Sequence, residues 1–146
     1  METNYFSGGC FWHIEREFNK LPGIINTTVG YMGGNFSKPK YTDVVSGKTG
    51  HAETIKIKYD SNIISFLELL IFFFDIHDPT TLNKQGADIG TNYRSIVFYN
   101  NFKQKNIYNK FKNNILYKSK IVTQLLKKQN FKFYKAEKIH QKYYNN

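Results

Sequence analysis

Two residues in this chain sit where they could do chemistry: a cysteine behind a glycine pair, and a glutamate on the apolar side of a strand. Cys10 is the only cysteine among 146 residues and follows Gly8-Gly9. Phe11, Ile14, Phe18 and Leu21 recur after it at a spacing that predicts an amphipathic helix starting near Cys10 and stopped by Pro22-Gly23. The start of a helix offers unpaired N–H groups and a partial positive charge, which favour thiolate over thiol, so the Cys10 pKa is expected below its ordinary value. A lone cysteine is also among the residue types most often buried as an inert hydrophobe. The glycine turn, able to bring backbone close to a ligand, and an apolar stripe that does not need position 10 favour the reactive reading. Glu53 shares strand parity with Ile55, Ile57 and Tyr59, while Thr54, Lys56 and Lys58 take the other face. A carboxyl on a core face loses hydration, its pKa rises, and it becomes a candidate general acid. The alternative is that Glu53 lies past the strand end in solvent; periodicity leaves both open.

Other elements must position this pair. Asn4–Phe6 reads as a short strand and Ile24–Tyr31 as a β-branched one, with Glu53–Tyr59 the clearest strand of all. Ser65 followed by Glu68 forms a capping box at the head of an apolar helix ending near Ile76. Ser95–Tyr99 predicts another strand, and Ile107, Phe111 and Ile115 mark a third helix. Ile121–Leu125 and Phe131–Phe133 are weaker strand-like pieces. Residues 30–49 and 78–92 read as long loops, which in a compact domain are usually functional. The order strand–helix–strand–strand–helix–strand is that of a split βαβ, so the expected class is α+β, with a sheet carrying helices on one face, as a single domain over residues 1–146.

Composition removes several classes. One cysteine cannot staple a secreted mini-protein, and no Cys/His cluster has zinc-ligand spacing, so neither disulfide nor metal is expected. The longest apolar stretch, Ile63–Ile76, has 14 residues and includes Glu68 and Asp75, too short for a membrane span. The start of the chain has no basic, apolar signal run, and a cytoplasmic protein without a membrane partner is expected. Charge is uneven, at −1 over residues 1–100 and +11 over residues 101–146. A nucleic-acid footprint is one reading of that tail. Its lysines are interleaved with periodic apolar residues, however, which favours solvated faces of folded elements and no nucleic-acid partner.

Beyond these readings, Gly9-Cys10-Phe11-Trp12, Gly30-Tyr31-Met32-Gly33-Gly34, Tyr41-Thr42-Asp43-Val44 and Gly50-His51-Ala52-Glu53 form a series in family order. It continues with His77-Asp78-Pro79, the run from Gly86 through Asp88, Gly90-Thr91 and Tyr93-Arg94-Ser95, and Phe133-Tyr134, Ala136-Glu137, His140-Gln141 and Tyr143. Together they resemble the type A peptide methionine sulfoxide reductases from residue 6 to residue 143. The resemblance implies a ferredoxin-like two-layer α/β sandwich with long functional loops, and reduction of the S epimer of methionine sulfoxide, free or in oxidised proteins. It implies that Cys10 is the nucleophile and Glu53 the proton donor, that Tyr41 and Tyr93 bind the sulfoxide oxygen, and that Asp88 orients the site through water. Phe11 and Trp12 would form an apolar wall for the S-methyl group, whose burial is worth about 0.8 kcal/mol. Both also read as core; Phe11 lies on the helix stripe, and Trp12 lies off it, which favours the site for Trp12. His51 and His77 read as structural, and His140 as locally packed.

Many relatives use further cysteines for recycling, and this sequence departs from that pattern. The sulfenic acid left on Cys10 would need an external thiol, either glutathione with glutaredoxin or thioredoxin. No cofactor is implied, and a monomer is the expectation. Two other classes share features with this chain: a single-cysteine thiol oxidoreductase or peroxidase, and a basic nucleic-acid-binding module. The first lacks a Pro or Arg before Cys10 to build a peroxide pocket, and the second lacks any recognised nucleic-acid motif.

Overall fold

The alternation and capping signals above resolve into a twisted sheet with helices against one face. The computed structural model describes residues 1–145. In chain order the elements are β1 (Glu2–Ser7), α1 (Phe11–Phe18), β2 (Ile24–Met32), α2 (Tyr41–Val45), β3 (Ala52–Tyr59) and α3 (Phe66–Ile76). They continue with β4 (Lys84–Gln85), β5 (Asp88–Ile89), β6 (Ile96–Tyr99), α4 (Phe102–Asn113), β7 (Gln124–Lys127) and β8 (Tyr134–Lys135). Among the described residues the main sheet runs β7-β6-β1-β3-β2-β8. Its centre, β6-β1-β3-β2, is antiparallel throughout and carries the split βαβ order, as the sequence predicts. An α+β, ferredoxin-like sandwich is the result.

The helix-facing side of the sheet presents Phe6, Ile55, Ile57, Tyr59 and Val97 to Ile14 and Phe18 of α1 and to Leu69, Leu70 and Phe73 of α3, all buried. Ser65 caps α3, its hydroxyl accepting the Glu68 N–H while the Glu68 carboxylate accepts the Ser65 N–H, both at 3.1 Å. The opposite side is covered by the chain itself: Phe131 and Phe133 pack on Tyr5, Met32 and Phe98. Gly30 permits that closure, because a Cβ there would stand 2.3 Å from the Tyr134 carbonyl oxygen where β8 pairs with β2.

Three expectations shift. Residues 30–49 are not all loop: Tyr41–Val45 forms α2, a single turn too short to show a periodicity. Residues 78–92 contain the β4–β5 hairpin and a 3-10 turn, Thr91–Tyr93. The late strand pieces slide, from Ile121–Leu125 to β7 and from Phe131–Phe133 to β8. Both are edge strands whose pairing partners, β6 and β2, lie far back in the chain, so register is set by tertiary contact and not by local pattern.

Candidate active site

Cys10 is the N-cap of α1, with extended backbone (φ −62°, ψ 122°) and partial exposure. Its carbonyl accepts the His13 and Ile14 N–H groups, which starts the helix. The preceding Gly9 has φ +91°, a conformation that favours glycine, and packs under the Gln85 side chain. Glu53 arrives from β3, paired with Tyr31 of β2. Parity places its carboxyl on the helix side, only 2% exposed, where Oε1 accepts the Phe11 N–H at 3.2 Å. The acid is therefore tied to the residue next to the thiol, and the solvent-exposed alternative falls away.

The electrostatics correct one expectation. The Cys10 pKa is not lowered; it is pushed up to about 11 by burial first and then by the Glu53 carboxylate, with Asp88 adding to the rise. The N–H groups of Trp12 and His13 do favour thiolate, as the helix start suggests, but desolvation and two nearby carboxylates outweigh them. The Glu53 expectation holds: burial raises its carboxyl from 4.5 to about 7, against the pull of the Phe11 N–H and the Asn92 amide.

Tyr41 begins α2 and Tyr93 ends the 3-10 turn, so both approach from the two long connections. Burial, Glu53 and Asp88 raise both phenols, Tyr93 to about 12, and Cys10 also acts on Tyr41. Asp88, on β5, is exposed at the rim. Cys10, Glu53, Tyr41, Tyr93 and Asp88 thus form one electrostatic cluster. Phe11 is buried, its ring 5.8 and 5.5 Å from those of Tyr31 and His140. Trp12 is half-buried at the side, stacked on Tyr143 at 3.9 Å.

A two-electron exchange at Cys10 with an adjacent neutral acid is the chemistry such a cluster offers. The profile of a family described as peptide methionine sulfoxide reductase matches residues 2–146. The chain belongs to this family. It is 51% identical over 146 residues to the peptide methionine sulfoxide reductase MsrA of Vesicomyosocius okutanii, covering 100% of this chain and 87% of that one. Among solved structures it is similar to methionine sulfoxide reductase A of Corynebacterium diphtheriae, with TM-score 0.89 and 31% identity over 99% of this chain and 74% of that one. It is also similar to reduced Mxr1 of Saccharomyces cerevisiae, with TM-score 0.86 and 34% identity over 99% of this chain and 84% of that one. The protein is an oxidoreductase of the methionine sulfoxide reductase type.

In this reductase the basic tail is part of the site's frame. His140 does not pack locally: its Nδ1 accepts the Trp12 Nε1–H at 3.2 Å, and its ring lies 4.5 Å from that of Tyr41. Glu137, the one acid of the tail, accepts the Tyr31 hydroxyl and the Tyr41 N–H at 2.8 and 2.9 Å. The Lys142 backbone N–H donates to buried Glu15 at 2.7 Å, fastening the tail to α1. His51 and His77 are structural, as expected. His51 Nδ1 accepts the Gly34 N–H, and His77 joins the Phe73 carbonyl to the Ser95 hydroxyl, with burial lowering it to about 4. Sequence reasoning missed Glu137, His140 and Asn92; the first two act across more than ninety positions, and Asn92 falls at an unassigned position inside a motif. No cluster of His, Cys, Asp and Glu among the described residues could hold a metal, and no helix among them is long and apolar enough to cross a membrane.

Proposed function

We propose that this reductase acts on the S epimer of methionine sulfoxide, free or in oxidised proteins, with Cys10 as nucleophile and Glu53 as acid. The observation that carries the reading is a buried carboxyl held by the N–H of the residue after the thiol, and burial raises its pKa to about 7. Cys10 Sγ attacks the sulfoxide sulfur while Glu53 gives its proton to the sulfoxide oxygen. Cys10 releases its own proton, which restores Glu53, so no proton is consumed overall. The sulfoxide S–O bond and the transient bond from Sγ to the methionine sulfur then break, leaving the oxygen on Cys10 as a sulfenic acid; Cys10 loses two electrons, and the methionine sulfur gains them. Raised pKa values keep Tyr41 and Tyr93 as O–H donors toward the oxygen as its charge develops. Asp88 supports this by disfavouring ionisation of Cys10, Glu53 and both tyrosines. Phe11 and Trp12, the two residues after the thiol, supply the apolar surround for the S-methyl group.

No second cysteine occurs in these 146 residues. In this reading an external thiol resolves the sulfenic acid: one thiol displaces water to form a mixed disulfide, and a second releases Cys10 and a disulfide. Glutathione with glutaredoxin, or thioredoxin, fits this role. With dithiothreitol as reductant, dabsylated methionine S-sulfoxide should be reduced, the R epimer at least about 100-fold more slowly, and Cys10→Ser should show no turnover. Equal rates for the epimers, or an active Cys10→Ser, would overturn the proposal.

A further inference from the structure

Two orphaned polar atoms lie inside this site. Among the described residues the buried side-chain atoms without a hydrogen-bond partner include Glu53 Oε2 and Asn92 Nδ2. Their residues are 2% and 3% exposed, so water does not readily satisfy either. A donor and an acceptor buried in one cluster without a bond between them require an explanation. Protonation supplies it. Glu53 Oε1 accepts the Phe11 N–H, which leaves the acidic proton on Oε2. A protonated Oε2 is a weak, uncharged acceptor for the Asn92 N–H, and its own O–H has no acceptor until a sulfoxide oxygen enters. Once that proton leaves, Oε2 becomes a charged acceptor, and Asn92 is the side-chain amide that acts on Glu53. The Asn92 side chain favours the charged forms of both Glu53 and Tyr93, as an amide donor near those two oxygens must.

We propose that Asn92 is a positioning residue for the proton donor: its Nδ2–H closes a hydrogen bond to Glu53 Oε2 as the proton passes to the sulfoxide oxygen. This rests on the proton-donor reading of Glu53 above. A bond that tightens as charge appears stabilises the transition state more than the bound substrate, so it raises rate and not affinity. The other groups facing Glu53 are Cys10 and the Phe11 N–H at the start of α1, Tyr31 on β2, Tyr41 on α2, Asp88 on β5 and Tyr93 on the 3-10 turn. None of them gives Oε2 a hydrogen bond, and Asp88 opposes its ionisation.

The test is single-turnover reduction of methionine S-sulfoxide without reductant, from about pH 5 to about pH 9, in wild type, Asn92→Leu, Glu53→Gln and the double variant. Asn92→Leu should slow the saturated rate by about 10- to 100-fold with apparent affinity changed by less than about 2-fold. Its alkaline limb, set by Glu53, should move to higher pH, and the double variant should be no slower than Glu53→Gln alone. An unmoved limb, or a further loss of rate in the Glu53→Gln background, would make Asn92 a packing residue and overturn the proposal. A Glu53→Gln variant as fast as wild type would instead overturn the proton-donor reading itself, and this inference with it. If Asn92→Leu does not fold, Asn92→Ala enters the same comparison. Infrared titration of the Glu53 carboxyl then reads the same upward shift without turnover.

Discussion

Glu53→Gln is expected to slow sulfoxide reduction by about 10²- to 10⁴-fold, the range that a positioned proton donor contributes, while leaving substrate affinity nearly unchanged. In wild type the saturated rate should fall as pH rises through about 7, because that is where the buried carboxyl loses the proton it must give. The same substitution should stabilise the fold in alkaline solution. The folded-state pKa lies above the unfolded one, so between about 4.5 and 7 the folded protein holds a proton that the unfolded chain has released. Stability from this group is therefore complete below about 4.5 and is lost as pH climbs through 7, by roughly 3 kcal/mol for a shift of this size. Denaturant unfolding at about pH 4 and about pH 8 should show that loss in wild type and not in Glu53→Gln. A rate unchanged by the substitution would remove Glu53 from the chemistry, and equal unfolding curves would show that its burial carries no cost.

Cys10 should alkylate slowly. A thiol raised from 9.0 to about 11 holds about 100-fold less thiolate near neutrality than an unperturbed one, and iodoacetamide reacts with the thiolate. The pH–rate curve for alkylation in free enzyme should still be rising at about pH 9. Glu53→Gln should move that curve to lower pH, because the Glu53 carboxylate is the largest charge acting against the Cys10 thiolate. This one substitution thus reads the coupled pair from both of its ends. Alkylation that levels off below about pH 8 would mean that the helix N–H groups dominate after all.

The pair itself is legible in the sequence, and its energetics are not. Parity along Glu53–Tyr59 points the carboxyl to the core, the α1 stripe puts Cys10 at a helix start, and Ser65 with Glu68 fixes the head of α3; each is a local pattern that packing preserves. The acidity of Cys10 depends on how much water β3 and the two long connections exclude and on which carboxylates they bring. No local pattern carries that information, and the helix-start argument alone gives the opposite sign. One-turn α2 goes unread and the edge strands β7 and β8 are placed a few residues early for a related reason. Each is held by distant partners, as when Glu137 of the tail anchors the Tyr41 N–H or Gly30 admits β8. The tail's charge pointed to solvent, whereas His140 and Lys142 turn inward to Trp12 and Glu15.

The most direct measurement mixes the enzyme with one equivalent of methionine S-sulfoxide, without reductant, and traps the product with dimedone before mass spectrometry. The expected result is one methionine released per chain and one dimedone adduct, confined to Cys10. Methionine formed with Cys10 unmodified would place the oxygen acceptor elsewhere and contradict the account.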